Sequence, residues 1–219
     1  MKVIRFIWLS VLALCSLPAL AQTPNQDPST AVFRAFLNCD AQWFTTLSEH
    51  GAAIASFKPL KRFKANLTQL TVPNRLVEEG QTLALTPAFT MQGVVFNEFF
   101  DEINVMPVNA ATTPAQTLYF WGFNTEAPIN KTLPLVQRLI NEPALTADGD
   151  TWARMALFDN NTWQPVADHA AYKGTPATKP ERILIVQANE GGGTRVVCGL
   201  QGAPLPQAEL QKLRPDIAP

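Results

Sequence analysis

The chain has 219 residues, 17 basic and 18 acidic, and a formal net charge of −1. Apolar residues make up 47% and charged ones 16%, which supplies a core and excludes disorder along the whole chain. A near-neutral balance leaves no basic footprint for nucleic acid and no general attraction to an anionic membrane.

Residues 1–21 have the layout of a secretory signal peptide. Lys2 and Arg5 precede an apolar run from Phe6 to Leu17, followed by Pro18 and Ala19-Leu20-Ala21. Cleavage is expected between Ala21 and Gln22, giving an exported product, periplasmic or secreted. The apolar run, about 12 residues, is too short to span a bilayer, which takes about 20. Leu14, preceding Cys15, does not suit lipid attachment at that cysteine. Cleavage would remove Lys2 and Arg5, leaving 198 residues with 15 basic against 18 acidic. No later stretch has the length and apolarity of a membrane span. Two cysteines survive, Cys39 and Cys198, and in an oxidising compartment they are expected to form a disulfide. A loop of that length stabilises by about 5 kcal/mol on the chain-entropy model, and strain and residual unfolded-state structure reduce this to about 2–4 kcal/mol.

Residues 22–29 read as a flexible leader, with Asp27 or Ser29 able to cap the next helix. Over residues 30–54 the spacing of Val32, Phe33, Phe36, Leu37, Phe44, Leu47 and Ile54 predicts one long helix. Cys39 lies on it between Phe36 and Trp43. Lys58, Lys61, Arg62 and Lys64 form the only basic cluster; with no glycine-rich loop or helix start behind them, they read as a solvated connection. Residues 66–72, 76–77 and 82–86 read as strands. A further strand from Phe89 to about Phe96 carries a bulge at Gly93, and residues 97–104 show no clear pattern. Residues 107–114 form a loop. Residues 118–123, LYFWGF, bear bulky groups on both faces and so belong at the centre of a sheet.

A second helix is expected over residues 131–141. The strand at residues 151–158 turns through Asp159-Asn160-Asn161-Thr162, residue types that tolerate left-handed backbone, into residues 163–166. After a loop at residues 167–179, residues 183–200 form a hairpin around Gly191-Gly192-Gly193, ending near Cys198. Residues 204–219, with four prolines, read as a tail with at most a turn or two of helix between Gln207 and Arg214. The order of elements predicts an α+β fold: antiparallel sheet, a long N-terminal helix and a second helix near mid-chain. Residues 30–203 make one domain, within which residues 30–125 and 126–203 are candidate similar halves.

The motifs of catalysis are missing. His50 and His169 are the only histidines, and no serine elbow or metal-binding spacing accompanies them. Asp148-Gly149-Asp150 falls short of a calcium loop, and the triple glycine lacks the context of a phosphate loop. We therefore assign no catalytic, cofactor-binding or metal residues. The leading expectation is a non-catalytic binding protein for another protein or an envelope component, using Phe99, Phe100 and Trp121 as surface anchors. The alternative is a hydrolase of envelope polymers working through paired carboxylates such as Glu98 and Asp101. A purely structural envelope role fits the same residues.

Overall fold

The computed structural model describes residues 27–58, 60–106, 116–140, 143–166, 178–189 and 191–217. The expected signal peptide, most of the expected leader, the expected loop at residues 107–114, and Asp168 and His169 lie outside the described residues.

The chain is α+β. In order come α1 (Pro28–Phe36), α2 (Gln42–His50), β1 (Lys61–Lys64), β2 (Leu67–Gln69), β3 (Thr82–Met91), β4 (Val94–Met106) and β5 (Gln116–Thr125). Then follow α3 (Ile129–Leu139), β6 (Thr146–Asp148), β7 (Thr151–Asp159), β8 (Thr162–Val166), β9 (Pro180–Ala188), β10 (Thr194–Gly202) and α4 (Gln207–Leu213). β1 and β2 form a separate ribbon. The other eight strands form one antiparallel sheet in the order β3-β4-β5-β10-β9-β7-β6, with β8 also paired to β7. β5 lies between β4 and β10, the central place its two apolar faces demand. Its pairing with β10 joins the first and second halves of the chain in one sheet.

The single long N-terminal helix is not formed. Its periodicity is divided between α1 and α2, because the chain turns at residues 37–41 and Cys39 takes a left-handed φ of 55°. Asp27 caps α1 through the N–H of Thr30, and Pro28 opens it. Asp40 restarts the helical path by accepting the Gln42 N–H at 2.9 Å. Cys39 is bonded to Cys198 on β10, with the Cα atoms 5.2 Å apart. The bond pulls the turn onto the middle of the sheet, which a continuous helix would not allow.

Two turns also differ in kind from expectation. Gln92 and Gly93, both at positive φ, form the two-residue turn between β3 and β4, so Gly93 marks a turn rather than a bulge. The irregularity falls instead between Phe96 and Glu98, and residues 97–104 are strand throughout. Residues 76–77 are not strand. Asn160 and Asn161, at φ 50° and 60°, make the turn between β7 and β8 as their residue types suggest.

One large apolar cluster receives residues from all four helices. Phe123 of β5 is its centre, with the rings of Phe36, Phe99, Trp43 and Phe96 between 5.0 and 5.8 Å away. The residues expected to form a tail are packed into this core: Leu210, Leu213 and Arg214 are all buried. Arg214 donates to both oxygens of Asp101 at 3.0 Å and to Asp216 at 2.9 Å, and its guanidinium lies 4.4 Å from the centroid of the Trp121 ring. Arg75 completes the cluster, bonding Asp101 at 2.7 Å, Asp216, and Gln69 at 3.0 Å. Two positive and two negative groups therefore compensate one another out of water. Burial raises the Asp101 carboxyl against the pull of both arginines. In Asp216 the same burial is outweighed by Arg214 and Arg75, which hold its carboxyl below the ordinary range.

Two outcomes follow from these ties. Replacing both cysteines, Cys39→Ala with Cys198→Ala, lowers unfolding free energy by about 2–4 kcal/mol in urea titrations followed by tryptophan fluorescence. An unchanged midpoint would contradict a stabilising bond. The contribution of Asp216 is fully present above the unfolded carboxylate pKa, about 4, and is lost as pH falls through the lower folded value. The stability gap between wild type and Asp216→Asn therefore narrows below about pH 4, measurable by denaturant titration at several pH values.

Candidate functional site

The expected aromatic surface does not exist. Phe99 is 2% exposed, Phe100 0% and Trp121 1%. Phe99 and Trp121 face the helices, and Phe100 points to the other face beneath Arg195, whose guanidinium is 4.0 Å from its ring centroid. LYFWGF and FNEFF are core sequences because a sheet packed by helices needs large apolar groups at these central positions.

The carboxylates of the alternative reading are also kept apart. Glu98 and Asp101 are three residues apart on a regular stretch of β4, so their side chains point to opposite faces. Asp101 is engaged with Arg75 and Arg214. Glu98 accepts from Asn124 at 2.6 Å and opens onto a depression of about 480 Å³ edged by Glu126 and Asn189. Glu102 pairs with Arg195 at 2.6 Å. His50 ends α2 in an exposed position near Glu49. Among the described residues no group of three or more His, Cys, Asp or Glu is placed to hold a metal ion.

The triple glycine is a turn with divided duties. Gly192 supplies a positive φ of 84°, whereas Gly193 is needed because a Cβ there would collide with the Thr125 carbonyl.

A site more enclosed than the depression at Glu98 lies beside the disulfide. It is a pocket of about 330 Å³ between the α1–α2 turn and the face formed by β7, β8 and β9. Leu37, Ala156, Pro143 and Pro165 give it apolar walls, and Asn38, Asp40 and Gln42 line the turn side. Arg154 and Arg182 enter from the sheet. The register explains why they meet: Arg154 of β7 is opposite Leu184, and Arg182, two residues earlier on β9, is opposite Ala156. They are diagonal neighbours on one face, close enough for long side chains to share a space.

The two arginines are held differently. Arg154 donates to the Leu37 carbonyl at 2.7 Å, tying β7 to the end of α1. Arg182 rests over the Trp163 ring, 5.0 Å from its centroid, and donates no hydrogen bond to a described residue. Trp163 is fixed by its indole N–H, which donates to Glu209 of α4 at 2.9 Å. Glu209 also pairs with Lys212. Burial lowers the pKa of both guanidinium groups, and the charge of Arg182 lowers Arg154 further, with Asp40 opposing the shift in each. Both remain cations at neutral pH. The described lining thus includes two positive groups and one carboxylate among polar and apolar groups in similar measure.

The described lining, two arginines and one carboxylate with amides and apolar groups, can hold an anion. The motif search passed over these arginines. An arginine breaking an apolar strand, as in TWARMALF and PERILIV, is the signal that could have flagged each one. Their meeting depends on strand register.

No protein-family model matches the chain, and neither a curated protein nor a solved structure shows a match to it.

Proposed function

We propose that the protein is exported by residues 1–21 and acts outside the cytoplasm as a non-catalytic binding protein for a small monoanion. The ligand is a carboxylate with a short apolar body, its head between Arg154 and Arg182. What supports this reading above all is Arg182, whose guanidinium lines a pocket of about 330 Å³ and donates no hydrogen bond to a described residue. A guanidinium with unused donors, as Arg182 has, is a natural carboxylate partner. The apolar walls suit the remainder of such a ligand. Export accords with the disulfide. No helix among the described residues is long and apolar enough to cross a membrane.

Hexanoate is a direct probe, with hexanol and hexylamine as controls of equal size. Calorimetry is expected to show hexanoate binding with a Kd below about 1 mM and neither control binding comparably. Arg182→Met keeps much of the stem packing against Trp163 and is expected to weaken hexanoate at least about tenfold, the usual scale for a hydrogen bond to a charged group. Equal binding of hexanoate and hexanol, or an unaltered Kd in Arg182→Met, would overturn the assignment.

A further inference from the structure

Most of the basic cluster is not a connection. Lys61, Arg62 and Lys64 lie on the outer strand of the two-stranded ribbon, β1 against β2, with Lys58 just before it, and this changes what their charges can do. β2 is the inner strand: Thr68 and Gln69 are buried, and Gln69 accepts from Arg75 of the ion cluster. Phe63 turns inward, its ring perpendicular to that of Phe44 on α2 at 5.9 Å. The ribbon is therefore anchored from beneath. Among the described residues its outer strand pairs only with β2, which leaves the far edge of β1 unpaired by any of them.

Lys58, Lys61, Arg62 and Lys64 are all exposed, and none pairs with a carboxylate among the described residues. Arg75, Lys179, Arg195, Lys212 and Arg214 have acidic partners, whereas Lys131 and Arg138, also exposed and without one among the described residues, stand alone on α3 rather than gathered. Four exposed cations on and just before one short strand, on a chain of net charge −1, make a local positive field. A polyanion approaching the protein would be drawn to this edge.

The ribbon also restricts the kind of anion. No glycine-rich loop or helix start encloses a small phosphate there, so a single small ion would be held by exposed side chains alone. Nor is the ribbon built to enter a bilayer. Among the described residues the large exposed apolar side chains are Leu76, Val77, Val95, Val105 and Met106, none of them on it, and interfacial elements need an apolar face as well as charge. Strand residues advance about 3.3 Å each, so Lys61 and Lys64 stand roughly 10 Å apart along β1, a span that successive charges of one polymer can bridge. We infer that the β1–β2 ribbon is a docking edge for an acidic polysaccharide, carboxylated or sulfated, of the kind an exported protein meets in an envelope or matrix. The site is separate from the arginine pocket and independent of what that pocket binds.

The test is retention of the purified protein on immobilised polygalacturonate and dextran sulfate, with uncharged dextran as control. Retention is expected on one or both anionic polymers, decreasing steadily with salt as counterion release is lost. Lys61→Gln/Lys64→Gln is expected to weaken it about tenfold or more, on the usual scale of attraction per exposed cation. Lys131→Gln/Arg138→Gln makes the same change of net charge at two exposed positions of α3 and should alter retention by less than about twofold. Circular dichroism confirms that both variants fold. Adding hexanoate should leave retention unchanged, which keeps this result distinct from that of the pocket. Equal losses in the two variants would show diffuse attraction and overturn the inference. So would absence of retention at low salt, as expected if the lysines only deter edge-to-edge pairing. Stronger binding to phosphatidylglycerol vesicles than to either polymer would overturn it in favour of a membrane surface.

Discussion

The covalent tie between Cys39 and Cys198 sets the turn between two short helices against the centre of the sheet, and the arrangement of the helical layer follows from it. Cys39 occupies a left-handed conformation that is unfavourable for a side chain with a Cβ. The surroundings hold it there. Phe36 on one side and Trp43 on the other pack against Phe123, while the sulfur is bonded to a strand flanked by β5 and β9. The bond also fixes residues 37–42 as one wall of the arginine pocket. The constraint that organises the core and the one that shapes the candidate site are thus the same.

A second set of forces closes the far end of the sheet. The Arg75, Asp101, Arg214 and Asp216 cluster joins a loop, a central strand and the segment after α4 without leaving a net charge in the interior. Charges so placed are strongly destabilising if one partner is lost, yet contribute little beyond a well-packed apolar substitute when all are present. Their clearer effect is positional. Holding Arg214 holds α4; α4 presents Glu209; Glu209 fixes the Trp163 indole; and Trp163 supports Arg182 at the pocket. The path runs through direct contacts at every step.

Much of the architecture could be read along the chain. The strands at residues 118–123, 151–158 and 183–200 were recognisable because apolar density and turn residues are local properties. The Asn160-Asn161 turn and the disulfide partners were recognisable for the same reason, together with the elimination that two cysteines allow. The long helix failed because its periodicity continues almost in phase through a break caused by a partner 159 residues away. Phe99, Phe100 and Trp121 misled because aromatic residues suit a core and a binding surface equally, and composition does not report which face is covered. The basic cluster was seen, but its pairing with β2 was not.

The sequence by itself determined the composition of the core, the two cysteines, the strand-rich second half and the location of the basic cluster. Each of these depends on residue type and near-neighbour spacing. Tertiary structure alone decided that Arg154 and Arg182 share a pocket, that Glu98 and Asp101 do not share a cleft, and that the proline-containing end is part of the core. These depend on strand register, where moving by one residue sends a side chain to the opposite face. A candidate site made from diagonal neighbours on two strands therefore has no signature along the chain, however plain its chemistry becomes once the strands are paired.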